Sequence, residues 1–450
     1  MRASLAHGSP AAASPAPLDA ADRLELELTP VAGFDGHLFS SYLYATTFFP
    51  DLGFEQWRAL TLRQYGDPRG QVGLLVDHRD DLFLTPDVKV IVEANDFMGE
   101  SELEHELASA AVHRFFPKID WDFEKLRALD EERLLSIKFR VELDGKPYRK
   151  LVLPVRLHPI HDCPFALTGL DSETLQGLPP PTEGASDAAD DGAGDGGGGA
   201  ANAVDRGLEL DQSWMFAAYV NERHPLLVDE LVPALTRQGF VRDLTGYQAG
   251  RSDEVHRQVL SIWKLLRDRG IRYSSVGTLR GSGHVAWQHV RTIEQSLAAA
   301  QANCVDGSVL MASLLIAIGL DPFLVITPSH CYLGFFLGAA QPDGTREFSL
   351  LETTLLGAEV APANVPPAAL ADFRRIARGA GSDDASAHEE DPLIASYVAA
   401  LLAGMQHWSE DQPHLQPTAA EPSEPLPPEP GYAWVKIAEL RARGLGSIRR

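Results

Sequence analysis

The stretch QANCVDGSVLMASLLIAIGLDPFLVITPSHC, Gln301 to Cys331, decides the fold of this chain. Its apolar run from Val309 to Leu320 is too short to cross a bilayer, which takes about 20 residues, and suits a buried helix. Asn303 is a good N-cap, and Asp306 lies three residues on, a variant of capping-box spacing. Gly319 followed by Asp321-Pro322 supplies the stop. A helix over this range is apolar nearly all round, so it belongs at the centre of a domain. Cys304 then stands in the first turn, where the helix dipole favours a thiolate and free backbone N–H groups can bind an oxyanion. Asp306 reads first as a cap.

Three strand candidates follow: FLVIT, CYLGFFLG and EFSLLETT. His330 opens the second. A hairpin turning near Pro342 and Asp343 would set His330 against residues 352 to 356. Glu352 is at the edge of that range, and a slip in register would offer Thr353 or Thr354 instead. A carboxylate beside the imidazole would fix its tautomer and stabilise the imidazolium. Taken singly, a cysteine near an apolar helix is more often a small core residue, and a histidine beside a strand is more often structural. The ordered set Cys304, His330, Glu352, each at the end of an element, points instead to a nucleophile, its base and an orienting group.

The rest of the chain bounds this reading. At 450 residues it has room for two or three domains. A net charge of −24 argues against nucleic acid and anionic membrane surfaces as partners. Three cysteines make no disulfide framework, and the N-terminus lacks the apolar core of a secretory signal, so a reducing cytoplasmic setting is expected. The expected fold class is α+β. Residues 1–22 are Ala/Ser/Pro-rich and expected to be disordered, while 23–165 read as an immunoglobulin-like β-sandwich. In it DGKP, Asp144 to Pro147, turns a hairpin, and Glu102 to Phe116 reads as either helix or strand. Residues 179–207 read as a flexible acidic Gly-rich linker, 208–377 as the cysteine-bearing domain, and 378–430 as an acidic Pro-rich segment. Residues 431–450 form a strand-helix unit packing back. Ser252 to Gly270 is the clearest amphipathic helix, capped by those two residues, with Val255, Val259, Ile262 and Leu266 on one face.

The Cys304 segment, His330 and LLETT resemble the transglutaminase-like branch of the papain-like cysteine enzymes, in their bacterial form. LLRDRGIRYSS (Leu265–Ser275) and WQHVRTIEQSL (Trp287–Leu297) resemble the segments leading into the cysteine. The resemblance covers roughly residues 208–360. It implies a papain-like α+β domain with Cys304, His330 and Glu352 as catalytic triad and no cofactor or metal. The substrate implied is a peptide or protein amide. Acyl transfer would run through Cys304 with His330 as proton shuttle. The Cys304 N–H would hold the oxyanion, with Gln301 or Gln288 and the flanking Asn303 and Asp306 as support. Glu352 stands where the family has Asp, and Val305 where animal transglutaminases have Trp, which tells against calcium-dependent cross-linking. Cys331 should point to the opposite sheet face, into the core. The opposing reading is a catalytically inactive fold that binds proteins.

Two other clusters compete. His158, His161 and Cys163 in HPIHDCP have zinc-compatible side chains but no second ligand pair at finger spacing, so a strand end and turn is favoured. GTLRGSGHVAW (Gly277–Trp287) lacks the Gly-Lys-Ser/Thr ending of a phosphate loop and reads as an ordinary loop.

Overall fold

A computed structural model of the chain describes residues 24–34, 36–47, 72–78, 85–107, 111–170, 208–211, 213–275, 279–282, 285–341, 345–379, 391–415 and 431–448. The disorder expected for 1–22 and the linker expected at 179–207 lie outside the described residues. The architecture is mixed α+β.

The N-terminal part begins with β1 (Glu27–Ala32), β2 (His37–Phe39) and helix α1 (Ser40–Thr47). It continues through β3 (Val72–His78), β4 (Asp87–Val92), β5 (Ser101–Glu106), β6 (Ala111–Phe115), α2 (Phe123–Arg127), β7 (Arg133–Leu143) and β8 (Lys146–His158). The segment open to helix or strand is two strands, β5 and β6. Asp144 and Gly145 both have positive φ, +47° and +74°, as a tight hairpin between β7 and β8 requires. Strands β2-β8-β7-β4-β5 make a five-stranded sheet, antiparallel except for β2 against β8. Strands β1-β3-β6 make an antiparallel three-stranded sheet. Val72, Leu74 and Val76 of one sheet share a core with Val88, Val90, Phe139 and Val141 of the other.

The boundary expected at residue 165 falls inside β9 (Asp162–Leu170). This strand joins β10 (Leu208–Asp211) and the later hairpin in the order β10-β9-β13-β12. The reason is packing: Ile160 and Cys163 are buried in the second core, along with Phe34, Phe39 and Tyr42 from around α1. Next come α3 (Val232–Gln238), α4 (Ser252–Asp268), β11 (Arg272–Tyr273), β12 (Leu279–Ser282), β13 (Val285–His289), α5 (Ile293–Ala299), β14 (Gln301–Ala302) and α6 (Cys304–Ala317). Helix α4 buries Val255, Val259, Ile262 and Leu266 as read and closes at Gly270 with φ +78°. Its cap is Arg251, so Ser252 sits one position inside. GTLRGSGHVAW, read as a loop, contributes strand β12 and the start of β13.

Helix α6 is the centre of this core, buried at every position from Val305 to Leu315. It ends as the glycine predicts. The Leu320 N–H donates to Leu315 O and the Gly319 N–H to Ile316 O, with Gly319 at φ +81°. The chain then runs through β15 (Pro322–Ile326), β16 (Cys331–Phe336), β17 (Phe348–Leu351), α7 (Pro367–Arg378), α8 (Asp391–Leu415), β18 (Ala433–Lys436) and α9 (Ile437–Ala442). The last sheet is antiparallel in the order β17-β16-β15-β18, so the C-terminal strand-helix unit packs back beside β15.

Helix α8 occupies the middle of the stretch read as an acidic Pro-rich segment. Leu393, Ile394, Tyr397, Val398 and Leu401 form a buried face at helical spacing. The acidic and Pro-rich character belongs to the flanks, 380–390 and 416–430, which lie outside the described residues. Gly404 lets α8 lie directly on β17, because a Cβ there would stand 2.8 Å from the backbone of Leu350 and Leu351. Alanine normally gains about 0.5–1 kcal/mol over glycine inside a helix. Here the neighbour is strand backbone, and overpacking costs about 1–3 kcal/mol, so the clash wins. Gly404→Ala should lower the urea midpoint, whereas Gly338→Ala, whose Cβ meets nothing within 4 Å, should leave it unchanged.

Candidate active site

The site is built on the first turn of α6. Asn303 Oδ1 accepts from the Asp306 N–H at 2.8 Å, and Asp306 Oδ2 accepts from the Asn303 N–H at 3.2 Å, completing the capping box. Asp306 also accepts from Arg291, at 2.8 Å from the backbone N–H and 2.7 Å from Nη1. Of the four residues that sequence offered as oxyanion support, Asn303 and Asp306 are thus committed to the cap. Asn303 reaches the cleft wall, while Asp306 lies beneath it, 1% exposed. Burial pushes the Asp306 carboxyl above its ordinary range, against the pull of the Arg291 and Asn303 N–H groups. Cys304 occupies the first helical position, half-buried, so its N–H has no partner within the helix.

His330 ends the turn before β16, where the Thr327 N–H donates to His330 O at 2.9 Å. The β16–β17 register pairs Leu333 with Leu351 and, carried outward, sets Thr354 opposite His330. Glu352 still reaches the imidazole, because β17 stops at Leu351 and the chain turns into a short 3-10 segment, Thr353–Leu355, that Glu352 caps. One carboxylate oxygen, Oε1, accepts from the Thr354 N–H at 2.8 Å. The other, Oε2, lies 2.6 Å from His330 Nε2. Thr353 ties this turn to α6: its Oγ1 is 3.1 Å from Ser308 Oγ and 3.4 Å from Cys304 O. Gly307 faces it with no room to spare, since a Cβ there would come within 3.1 Å of Thr353 Oγ1.

With Nε2 on Glu352, the same imidazole lines the cleft beside Cys304. Burial lowers the pKa of His330. Hydrogen bonds to the Cys304 and Glu352 side chains outweigh it and hold the imidazole at about 10. Burial raises Glu352, but the His330 and Thr354 contacts bring it below the usual carboxylate range. Cys331 is buried on the core side, and burial pushes its thiol well up.

Cys304 and His330 line one cleft of about 210 Å³, walled by Phe165, Phe216, Tyr273 and Gln288. Of the two glutamines considered, Gln288 therefore lies at the site. Gln301 is exposed on the two-residue strand β14, away from the cleft wall. Burial, then the nearby Cys304 and Glu352, raise the Tyr273 phenol. His407 of α8 was not legible in the sequence. Its Nε2 stands 3.3 Å from Glu352 Oε2. The apolar spacing of α8 would have revealed the helix, but no local signal marks that histidine.

His158, His161 and Cys163 do not converge on a common point among the described residues. His158 Nε2 meets His37 Nδ1 at 2.8 Å, and Nδ1 meets Asp162 Oδ2 at 3.3 Å. His289 Nδ1 lies 3.3 Å from Asp162 Oδ1. Burial would raise Asp162, yet the two histidine contacts hold it at about 2. Comparison with protein-family models, curated proteins and solved structures finds no match to this chain.

Arg291 is the counter-charge of a carboxylate with no solvent access. Arg291→Ala should therefore cost about 3–5 kcal/mol near neutral pH. The cost should shrink in acid, because a protonated Asp306 needs no counter-charge. Denaturant unfolding of wild type and variant at pH 7 and pH 5 checks both parts.

Proposed function

We propose that this protein catalyses cysteine-dependent acyl transfer at an amide, by hydrolysis or transamidation, with Cys304, His330 and Glu352 as its triad. The observation that carries this is the His330 ring. It is held at Nε2 by a buried carboxylate 2.6 Å away and lines one cleft with a cysteine on the first turn of a buried helix. In the reaction His330 holds the Cys304 proton as imidazolium, and the sulfur attacks the carbonyl carbon. The Cys304 N–H and the Gln288 side chain hold the oxyanion. His330 then protonates the departing amine, leaving a thioester that water or a second amine resolves. Glu352 keeps the ring oriented and stabilises its cation.

The cleft wall is aromatic and apolar, with Phe165, Phe216, Val305, Ile326 and Pro328 around the reacting pair. It fits a neutral, apolar segment of a peptide or protein beside the amide. On this reading residues 208–377 are a transglutaminase-like domain of papain-like fold. The N-terminal sheets are an immunoglobulin-like sandwich, modified by the parallel β2–β8 pair. All three cysteines are free thiols, which suits the reducing cytoplasm. No described helix is long and apolar enough to cross a membrane.

A thiol-reactive acyl probe tests competence before any substrate is known. Wild type should label at Cys304, Cys304→Ala should not, and His330→Ala should slow alkylation at pH 7 roughly tenfold or more. Gln288→Ala should lower turnover by about 10²–10³-fold. A Cys304 that reacts no faster than the buried Cys163 would sink the enzyme reading and leave a protein-binding module.

The same pair sets a pH dependence of stability. His330 is raised in the folded state, so its contribution is complete below the unfolded value of about 6.5 and is lost as pH rises through about 10. Glu352, depressed, contributes above its unfolded value, and that part is lost in acid. Melting temperature should fall from pH 7 to pH 10 in wild type. In Glu352→Gln the fall should be smaller and end at lower pH, since the imidazolium loses its carboxylate.

A further inference from the structure

We propose that His407, Glu352 and His330 form a reversible site for a divalent transition metal of the zinc type, and that filling it silences the Cys304 centre. The silencing half rests on the acyl-transfer reading; the binding half does not. The three side chains offer two imidazole nitrogens and one carboxylate oxygen, all within 4.8 Å of one another. This donor set suits zinc, whereas calcium and magnesium favour oxygen alone. Two histidines and a glutamate with a fourth position open to water is an established zinc arrangement.

The spacing fits with little movement. Tetrahedral bonds of about 2.0–2.2 Å place ligand atoms roughly 3.3 Å apart. His407 Nε2 and Glu352 Oε2 already stand at 3.3 Å. His330 Nε2 and Glu352 Oε2, at 2.6 Å, need only part from hydrogen-bond contact. The two imidazole rings lie 5.2 Å apart between centroids, inclined at 55°, with the carboxylate reaching both. Entry is open on one side: the His407 side chain is 38% exposed, against 4% for that of Glu352. The approach of α8 to β17 at Gly404 brings His407 to this point, one turn further along the helix.

Acyl transfer as derived above gives His407 no part, while the metal would take the His330 nitrogen that Glu352 holds. Coordination at Nε2 displaces the proton there to solvent and leaves the ring's remaining proton on Nδ1, the one nitrogen then left for Cys304. A ring in that state has no lone pair for the Cys304 proton and cannot cycle between imidazole and imidazolium. Metal binding and proton shuttling are therefore mutually exclusive on one histidine.

The test uses the full chain, stripped with a chelator and titrated with zinc chloride by calorimetry, and with cobalt chloride by visible absorption. Wild type and Cys304→Ala should each bind one equivalent. The cobalt spectrum should show four- or five-coordinate d–d bands without sulfur charge transfer. Outer-shell partners alone are worth about 10–100-fold in metal affinity, so His407→Ala, which removes a ligand, should weaken binding about a hundredfold or more. Zinc should block acyl-probe labelling of wild-type Cys304 and leave labelling of His407→Ala, and of His407→Gln as a second variant, unchanged. Equal zinc affinity in wild type and both His407 variants, no binding at millimolar zinc, or a sulfur-to-cobalt band would each overturn the site. Binding to Cys304→Ala is read without any catalysis. A protein that binds zinc through His407 but never labels at Cys304 therefore fails the acyl-transfer reading and not the metal site.

Discussion

The constraint on which the rest depends is the buried N-terminus of α6. A helix apolar on every face can be placed only at the centre of a core, and its first N–H groups must then be satisfied without bulk water. The Asn303–Asp306 box does this, and Arg291 balances the Asp306 charge that the box requires. Once the cap is closed, the only side chain of the first turn left to face the cleft with chemistry to offer is that of Cys304. The position of the sulfur follows from the need to end a buried helix, and it is held by several kcal/mol of cap and core.

The histidine and carboxylate are placed by a second device, the early end of β17. A longer strand would have turned the residue opposite His330 into a threonine at position 354. Capping a 3-10 turn instead gives Glu352 two tasks on its two oxygens, backbone at one and imidazole at the other. Thr353, wedged between Ser308 and Gly307, pins that turn to α6. Sulfur, imidazole and carboxylate therefore hang on two packed elements that Thr353 ties together at the site. The geometry is rigid because the contact is dry and close-packed.

This division explains what the sequence could reveal. Cap, stop and apolar length of α6 are local signals, so the helix, its glycine terminus and the place of Cys304 were readable from adjacent residues. The hairpin that brings Glu352 to His330 was readable to within two residues, because register is fixed by a turn whose length has several solutions. Gln288 and Gln301 were indistinguishable by spacing, since only the pairing of β13 with β9 puts one at the cleft and leaves the other exposed. His407 and the assignment of β9 depend on contacts far apart in sequence. Acidic, Pro-rich flanks concealed α8, and the end set for the N-terminal sandwich at residue 165 ran through a strand, one of whose partners, β13, comes more than a hundred residues later.

That strand makes the two parts of the molecule a single mechanical unit. The β8–β9 corner carries His158 and Asp162, which join His37 from the N-terminal sheet to His289 at the end of β13. Asp162 is buried, and its held charge needs both histidines, so the corner cannot be loosened without exposing an unpaired carboxylate or forcing it to take up a proton. Gln288 precedes His289 on β13 and lies opposite Cys163 on β9. The N-terminal sheets therefore bear on the cleft through a polar network that fixes the strand carrying Gln288, even though Phe165 at the start of β9 is the furthest their end of the chain reaches into the cleft wall. A separate binding module joined by a compliant linker would have no need of such a junction. The buried histidine–aspartate corner is the arrangement expected where one domain completes the wall of another's cleft.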